Sequence, residues 1–226
     1  MDRQDPNRAY KDRLFRFIFS DRENALSLYN AINGTDYDDP DALTFVTPDD
    51  VIYMNMKNDL AFLLSPGMNL YEHQSSYNPN MLLRGLFYLA RECEKYVERH
   101  SVNIYGGTLK KLPTPKYVVF YNGTQDTPDR TELRLSDAFD RPEEACIELK
   151  AVMYNINVER NPELVTRCRR LDDYVRFVGC VRRFLDSGME SREAVTAAVD
   201  KCISEGVMSD ILRAHNAEVI GMVPNE

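Results

Sequence analysis

No run of about 18 apolar residues occurs in this sequence, so no membrane-spanning helix is expected. The opening stretch, MDRQDPNRAYKDR, has no apolar segment of the kind a signal peptide needs. Cysteine is sparse: five residues, Cys93, Cys146, Cys168, Cys180 and Cys202, widely spaced and with no CxxC. That odd number fits reduced, buried thiols in a cytoplasm better than a disulfide framework or a zinc ribbon. Histidine is rarer still. His73, His100 and His215 are scattered, which gives no histidine-based metal site. The motifs GxxxxGK[ST], GxSxG and GxGxxG are all missing, so phosphate-loop, hydrolase-elbow and dinucleotide signatures are excluded. Cations are also in deficit. With 28 Lys and Arg against 36 Asp and Glu, the net charge is −8, which argues against a broad basic surface for nucleic acid. Local clusters remain: Lys110, Lys111 and Lys116, then Arg167, Arg169, Arg170, Arg182 and Arg183. Such clusters are ordinarily solvated faces.

What is present is enough for one well-buried domain. The chain has 226 residues, 43% of them apolar. Residues 8–19 suit a helix. SDRE at 20–23 reads as a capping box, with Ser20 as N-cap of a second helix that Asn33-Gly34 closes. The acidic loop at Asp36, Asp38, Asp39 and Asp41 lacks the spacing of a calcium loop. Strands are expected over 50–56, 59–64, 69–75, 116–121 and 145–156. A helix is expected after Asn78-Pro79, with Asn78 as its N-cap. From Pro162 to about Leu212 the pattern is helical, with breaks near Ser187-Gly188 and Gly206.

One hairpin holds the chemistry. The stretch NDLAFLLSPGMNLYEHQSSYNPN, residues 58–80, folds two apolar strands about Pro66-Gly67, yet carries carboxylates within them. Pairing Leu64 with Asn69 sets Asp59 opposite Gln74 and Ala61 opposite Glu72. Asp59, Glu72 and Gln74 then share one face, and Leu60, Phe62, Leu64, Tyr71 and His73 the other. A loop one residue longer or shorter would exchange His73 for Glu72 and Gln74 beside Asp59. Two carboxylates on a half-buried surface repel each other, and a hard divalent cation resolves that. Mg²⁺ takes one or two carboxylates together with substrate phosphate, and activates a water beside it. Edge-strand carboxylates facing water are the competing reading.

The order helix, three strands, helix, strand, with Asp59 followed by Glu72-x-Gln74, resembles the PD-(D/E)xK nuclease superfamily. More closely, NDLAFLL, LYEHQSSYNPNMLLRGLFYLARECEKY and LPTPKYVVFYNGT are similar to the Rpn family of recombination-promoting nucleases and transposases, over most of residues 8–160. The resemblance implies an α/β fold with a restriction-endonuclease-like core: helix, three-stranded antiparallel meander, helix and strand. It also implies that Asp59 and Glu72 are ligands of Mg²⁺ (or Mn²⁺). Gln74 stands where the superfamily has lysine; it can orient water but brings no charge. Lys57, two residues before Asp59, shares its face on an unbroken strand and would supply that charge. Asp12 on the first helix matches an additional acid of the superfamily. Arg84, early in the helix after Glu72, is placed to touch phosphate or to form a salt bridge.

The expectation is a nuclease-like domain over 1–158 and a helical extension over 159–226 packed on it. The function expected is metal-dependent cleavage of DNA phosphodiesters, linked to recombination or mobile elements. DNA is the expected partner, with no membrane, and a homo-oligomer is compatible with the sequence. The alternative is a degenerate nuclease fold that binds nucleic acid or protein. A role in a toxin–antitoxin or phage-defence pair is a third.

Overall fold

Short, largely continuous apolar runs, buried on both faces, form the centre of a six-stranded mixed sheet in the computed structural model, which describes residues 6–46, 60–64 and 66–223. Lys57, Asp59 and the strand expected over 50–56 lie outside the described residues. The chain opens with α1 (Pro6–Phe19) and α2 (Arg22–Asn33). The cap between them is Asp21, one residue later than expected: its carboxylate accepts the Asn24 N–H at 3.0 Å. Ser20 still belongs to the last turn of α1. Its amide and its hydroxyl both bond the Arg16 carbonyl, so it is not free to cap the next helix. Gly34 closes α2 as expected, at φ +67, a conformation that costs glycine little.

Strands and helices then follow as β1 (Thr44–Phe45), β2 (Leu60–Leu64), β3 (Gly67–Gln74), α3 (Met81–Arg99), β4 (Thr114–Tyr121), β5 (Arg130–Arg134) and β6 (Lys150–Asn155). The sheet order is β1-β2-β3-β4-β6-β5. β1, β2 and β3 are antiparallel neighbours, β3, β4 and β6 run parallel, and β5 returns antiparallel at the edge. The fold is therefore α/β.

The β2–β3 hairpin pairs Leu64 with Gly67 and Leu60 with Tyr71, two residues away from the expected register. A shift of two preserves every side chain's face. Leu60, Phe62, Leu64 and Tyr71 accordingly enter one core, with Leu14, Phe15, Leu28 and Phe120. Ala61, Met68 and Leu70 enter the other, with Leu82, Tyr88, Val119 and Met153. Two further expectations need correction. α3 starts at Met81, and Asn78 instead forms an Asx turn, accepting the Asn80 N–H at 2.9 Å. Within 145–156 only Lys150–Asn155 is strand; its edge partner β5 is arginine-rich at both ends, and so lacks an apolar pattern.

From Pro162 the chain is helical: α4 (Pro162–Arg167), α5 (Arg169–Asp186), α6 (Ser191–Ser204), α7 (Ser209–Ala214) and α8 (Asn216–Gly221). Gly188 and Gly206, at φ +93 and +73, separate α5 from α6 and α6 from α7. Leu171, Tyr174, Val178, Val195 and Val199 join the same buried cluster as α1, α2 and one sheet face. Among the described residues no helix is long and apolar enough to cross a membrane.

Candidate functional site

Glu72 and Gln74 sit two apart near the carboxyl end of β3, on the face turned to α3. Glu72 is 1% exposed, and three donors surround its carboxylate. Arg84, from the first turn of α3, ion-pairs with Oε1 at 2.5 Å. Gln74 donates its side-chain amide to the same oxygen. Tyr117, from the neighbouring parallel strand, donates its hydroxyl to Oε2. The parallel β3–β4 pairing puts Tyr117 two residues before Val119, the direct neighbour of Glu72. A tyrosine there spans the diagonal that a shorter side chain would not. Gly85, one residue after Arg84, lets α3 come down on the Tyr117 ring with no Cβ between them.

These donors partly offset the cost of burying a carboxylate. Burial pushes the Glu72 carboxyl above its ordinary range, and the Arg84 charge and the two hydrogen bonds only partly reverse this. A smaller upward push comes from Asp12. Arg84 keeps 29% of its side chain exposed, and its Nε has no partner. Arg84 and the half-buried Gln74 are the members of the clasp that reach solvent.

Asp12 does not join Glu72. It lies on the opposite side of β3, where its carboxylate meets His73 Nδ1 at 2.7 Å, and the Ser75 hydroxyl at 3.4 Å. The other ring nitrogen of His73 meets the buried Tyr174 hydroxyl of α5 at 2.8 Å. Both ring nitrogens of His73 are therefore engaged, Nδ1 by the Asp12 carboxyl group and Nε2 by the Tyr174 hydroxyl. His73 is thus a fully partnered core residue, and the chain Ser75–Asp12–His73–Tyr174 ties β3 to α1 and to the helical tail.

The cationic clusters separate in space. Arg170 is held by Asp210 of α7 and Asp173 of α5, and leans on Asn24 of α2. Lys116 donates to Asn33 and stands over the Tyr29 ring. Arg182 is bound by asparagines at the ends of β4 and β6. Arg167, Arg169, Arg183, Lys110 and Lys111 are exposed.

Among the described residues no group of three or more His, Cys, Asp or Glu is gathered as a metal centre. The described part of the site supplies one carboxylate and one amide, and Asp59 and Lys57 fall outside it. The sequence pointed to Glu72, Gln74 and Arg84, which the structure brings together. It did not point to Tyr117, whose only signal is an aromatic at an alternate position in KYVVFY.

Comparison of the chain with protein-family models found no match. Neither the curated proteins nor the solved structures contained a match.

Proposed function

We propose that the chain is a metal-dependent nuclease of the PD-(D/E)xK type, similar to the Rpn family, which hydrolyses DNA phosphodiesters at Glu72, Gln74 and Asp59. One observation carries the reading. Glu72 and Gln74 stand together on one face at the carboxyl end of β3, and an antiparallel β1-β2-β3 and a parallel β4 surround that strand. The donor chemistry suits a hard cation: carboxylate and amide oxygen, without sulfur or imidazole. The reading requires Asp59 beside Glu72 as a second carboxylate, with Lys57 as a nearby charge. Mg²⁺ or Mn²⁺ held there would stabilise charge on the phosphate and acidify a bound water.

The chain's own residues have defined tasks in this reading. Arg84 leaves Glu72 for solvent and meets a phosphate oxygen, a geometry its fork suits. Gln74 orients the attacking water through its amide. Tyr117 keeps Glu72 aimed while Arg84 moves. Supercoiled plasmid incubated with Mg²⁺, Mn²⁺ or EDTA tests the activity.

The same clasp favours a second reading. A carboxylate already satisfied by an arginine, a tyrosine and a glutamine is also what a degenerate site would keep as a structural bond. The fold would then act as a binding module, and the plasmid would stay intact in both metals.

A further inference from the structure

A cleft of about 620 Å³ opens beyond the carboxyl ends of β3, β4 and β6. In open α/β sheets this edge is where ligands settle. Lys11, Ser75, Thr124, Asn157, Arg182 and Asp186 line it. The loop after β4 is pre-formed. The Tyr121 hydroxyl accepts the Gln125 N–H and donates to the Gln125 carbonyl, both at 3.0 Å. Gly123 fits against that ring only because it has no Cβ.

Arg182 is the unusual member. It is half-buried, and its guanidinium is gripped by neutral groups alone: the Asn157 side-chain oxygen, the Asn122 carbonyl at 2.7 Å and the Asn122 side-chain oxygen at 2.9 Å. Those acceptors are themselves fixed. Asn122 donates to the Ile156 carbonyl, and Asn157 to Gly123 and to Asn155, which in turn is bound to Thr127. Four hydrogen-bonded side chains therefore hold one cation still, and none of them neutralises it. No carboxylate among the described residues ion-pairs with Arg182. Asp186, one turn further along α5, is exposed and outside ion-pair distance. Asp126, the other acid on the cleft wall, is taken by Arg160, which also holds Asp129. Neutral oxygens orient a guanidinium, but a partly desolvated charge without a counter-ion is costly. Its unused N–H groups leave room for an oxyanion.

We propose that this cleft is a phosphoryl-binding site, with Arg182 as the fixed anchor, the exposed Thr124 hydroxyl as a neighbouring donor and Lys11 on the facing wall. The phosphoryl group comes either from a nucleic-acid strand or from a small phosphate. The site does not depend on Glu72 being catalytic, and its test does not read cleavage.

The full chain is titrated with inorganic phosphate by calorimetry, and with a labelled single-stranded oligonucleotide by fluorescence anisotropy. Arg182→Gln removes the anchor. Thr124→Glu places a negative charge on an exposed position of the cleft rim that carries no packing, which keeps the test valid where Arg182→Gln unfolds. Each variant weakens binding by about 10–100-fold, the range of one charge-assisted hydrogen bond. Loss confined to the oligonucleotide identifies a strand as the ligand, and loss confined to inorganic phosphate identifies a small molecule; both support the site. No binding of either probe at millimolar concentration, or binding that Thr124→Glu leaves unchanged, overturns it.

Discussion

Gly85 of α3 lies so close to the Tyr117 ring of β4 that a Cβ on it would overlap the ring edge. Tyr117 in turn donates its hydroxyl to Glu72. The helix's approach to the sheet and the clasp on the buried carboxylate are therefore one feature. Replacing Gly85 with alanine should gain about 0.5–1 kcal/mol of helix propensity. The steric cost in a packed interior, about 1–3 kcal/mol, should exceed that gain. We expect Gly85→Ala to be destabilising in urea denaturation, and to become neutral or stabilising in a Tyr117→Ala background. A stabilising Gly85→Ala in the otherwise native chain would mean that the ring yields freely and the clasp is loose.

Arg84 and Glu72 form a partner pair with unequal burial. Truncating Arg84 leaves a buried carboxylate with neutral donors only. Loss of one partner of a fully buried pair costs about 3–5 kcal/mol, and the partial exposure of Arg84 reduces this to about 2–3 kcal/mol. The double variant Arg84→Met with Glu72→Gln should recover most of it, because the amide can still accept from Tyr117. Equilibrium unfolding of the two singles and the double gives the coupling directly.

The raised carboxyl of Glu72 predicts a pH dependence with a definite sign. The unfolded chain releases this proton at its ordinary value of 4.5, and the folded chain holds it to higher pH. The contribution is fully present below 4.5 and is lost as pH rises through the folded value. Glu72→Gln does not titrate. Its stability relative to the native chain should therefore improve as pH climbs from below 4.5 to neutral. A difference that stays flat, or runs the other way, would show that Arg84 and the hydrogen bonds outweigh burial.

Arg170 and Asp210 make the opposite case. The Arg170 hydrogen bond lowers the Asp210 carboxyl to about 2, from an ordinary 3.8. Stability from this pair is present above 3.8 and lost as pH falls toward 2. Asp210 is largely exposed, so solvent screening keeps the effect of Asp210→Asn to about 0.5–1 kcal/mol at neutral pH. Thermal melts at pH 7 should show this small loss. The native chain and the variant should converge near pH 2.

Much of this was readable in the sequence because it is local. The unbroken apolar runs of NDLAFLL and KYVVFY marked β2 and β4, and the Asn33-Gly34 stop marked the end of α2. The faces of the hairpin were legible even though its register was two residues off, since parity alone decides them. What escaped depends on neighbours distant in sequence. Asp12 and His73 are 61 positions apart, and only the packing of α1 on β3 joins them. Tyr117 looked like one more apolar strand residue, because its polar end shows a role only beside Glu72. β5 has no apolar signal and exists because β6 offers an edge. The two carboxylates of the proposed site, Gln74 and Arg84 were visible as candidates, but the convergence of Arg84, Gln74 and the Tyr117 hydroxyl on one of those carboxylates was not.

Cleavage of supercoiled plasmid is the most direct test of the central claim. The native chain should nick or linearise it with Mg²⁺ or Mn²⁺ and leave it intact in EDTA. Asp59→Ala and Glu72→Gln should each lose the activity, and Glu72→Gln keeps one oxygen to accept from Arg84 while its NH2 can donate to the Tyr117 hydroxyl, which has the Met81 carbonyl as its own acceptor, so that the fold survives. Gln74→Ala should lower the rate about 10–100-fold, and Gln74→Lys should preserve or raise it, as expected where an orienting hydrogen bond and not a metal ligand is exchanged. A native chain that cuts in neither metal, or cutting that persists at full rate in Glu72→Gln, would contradict the account.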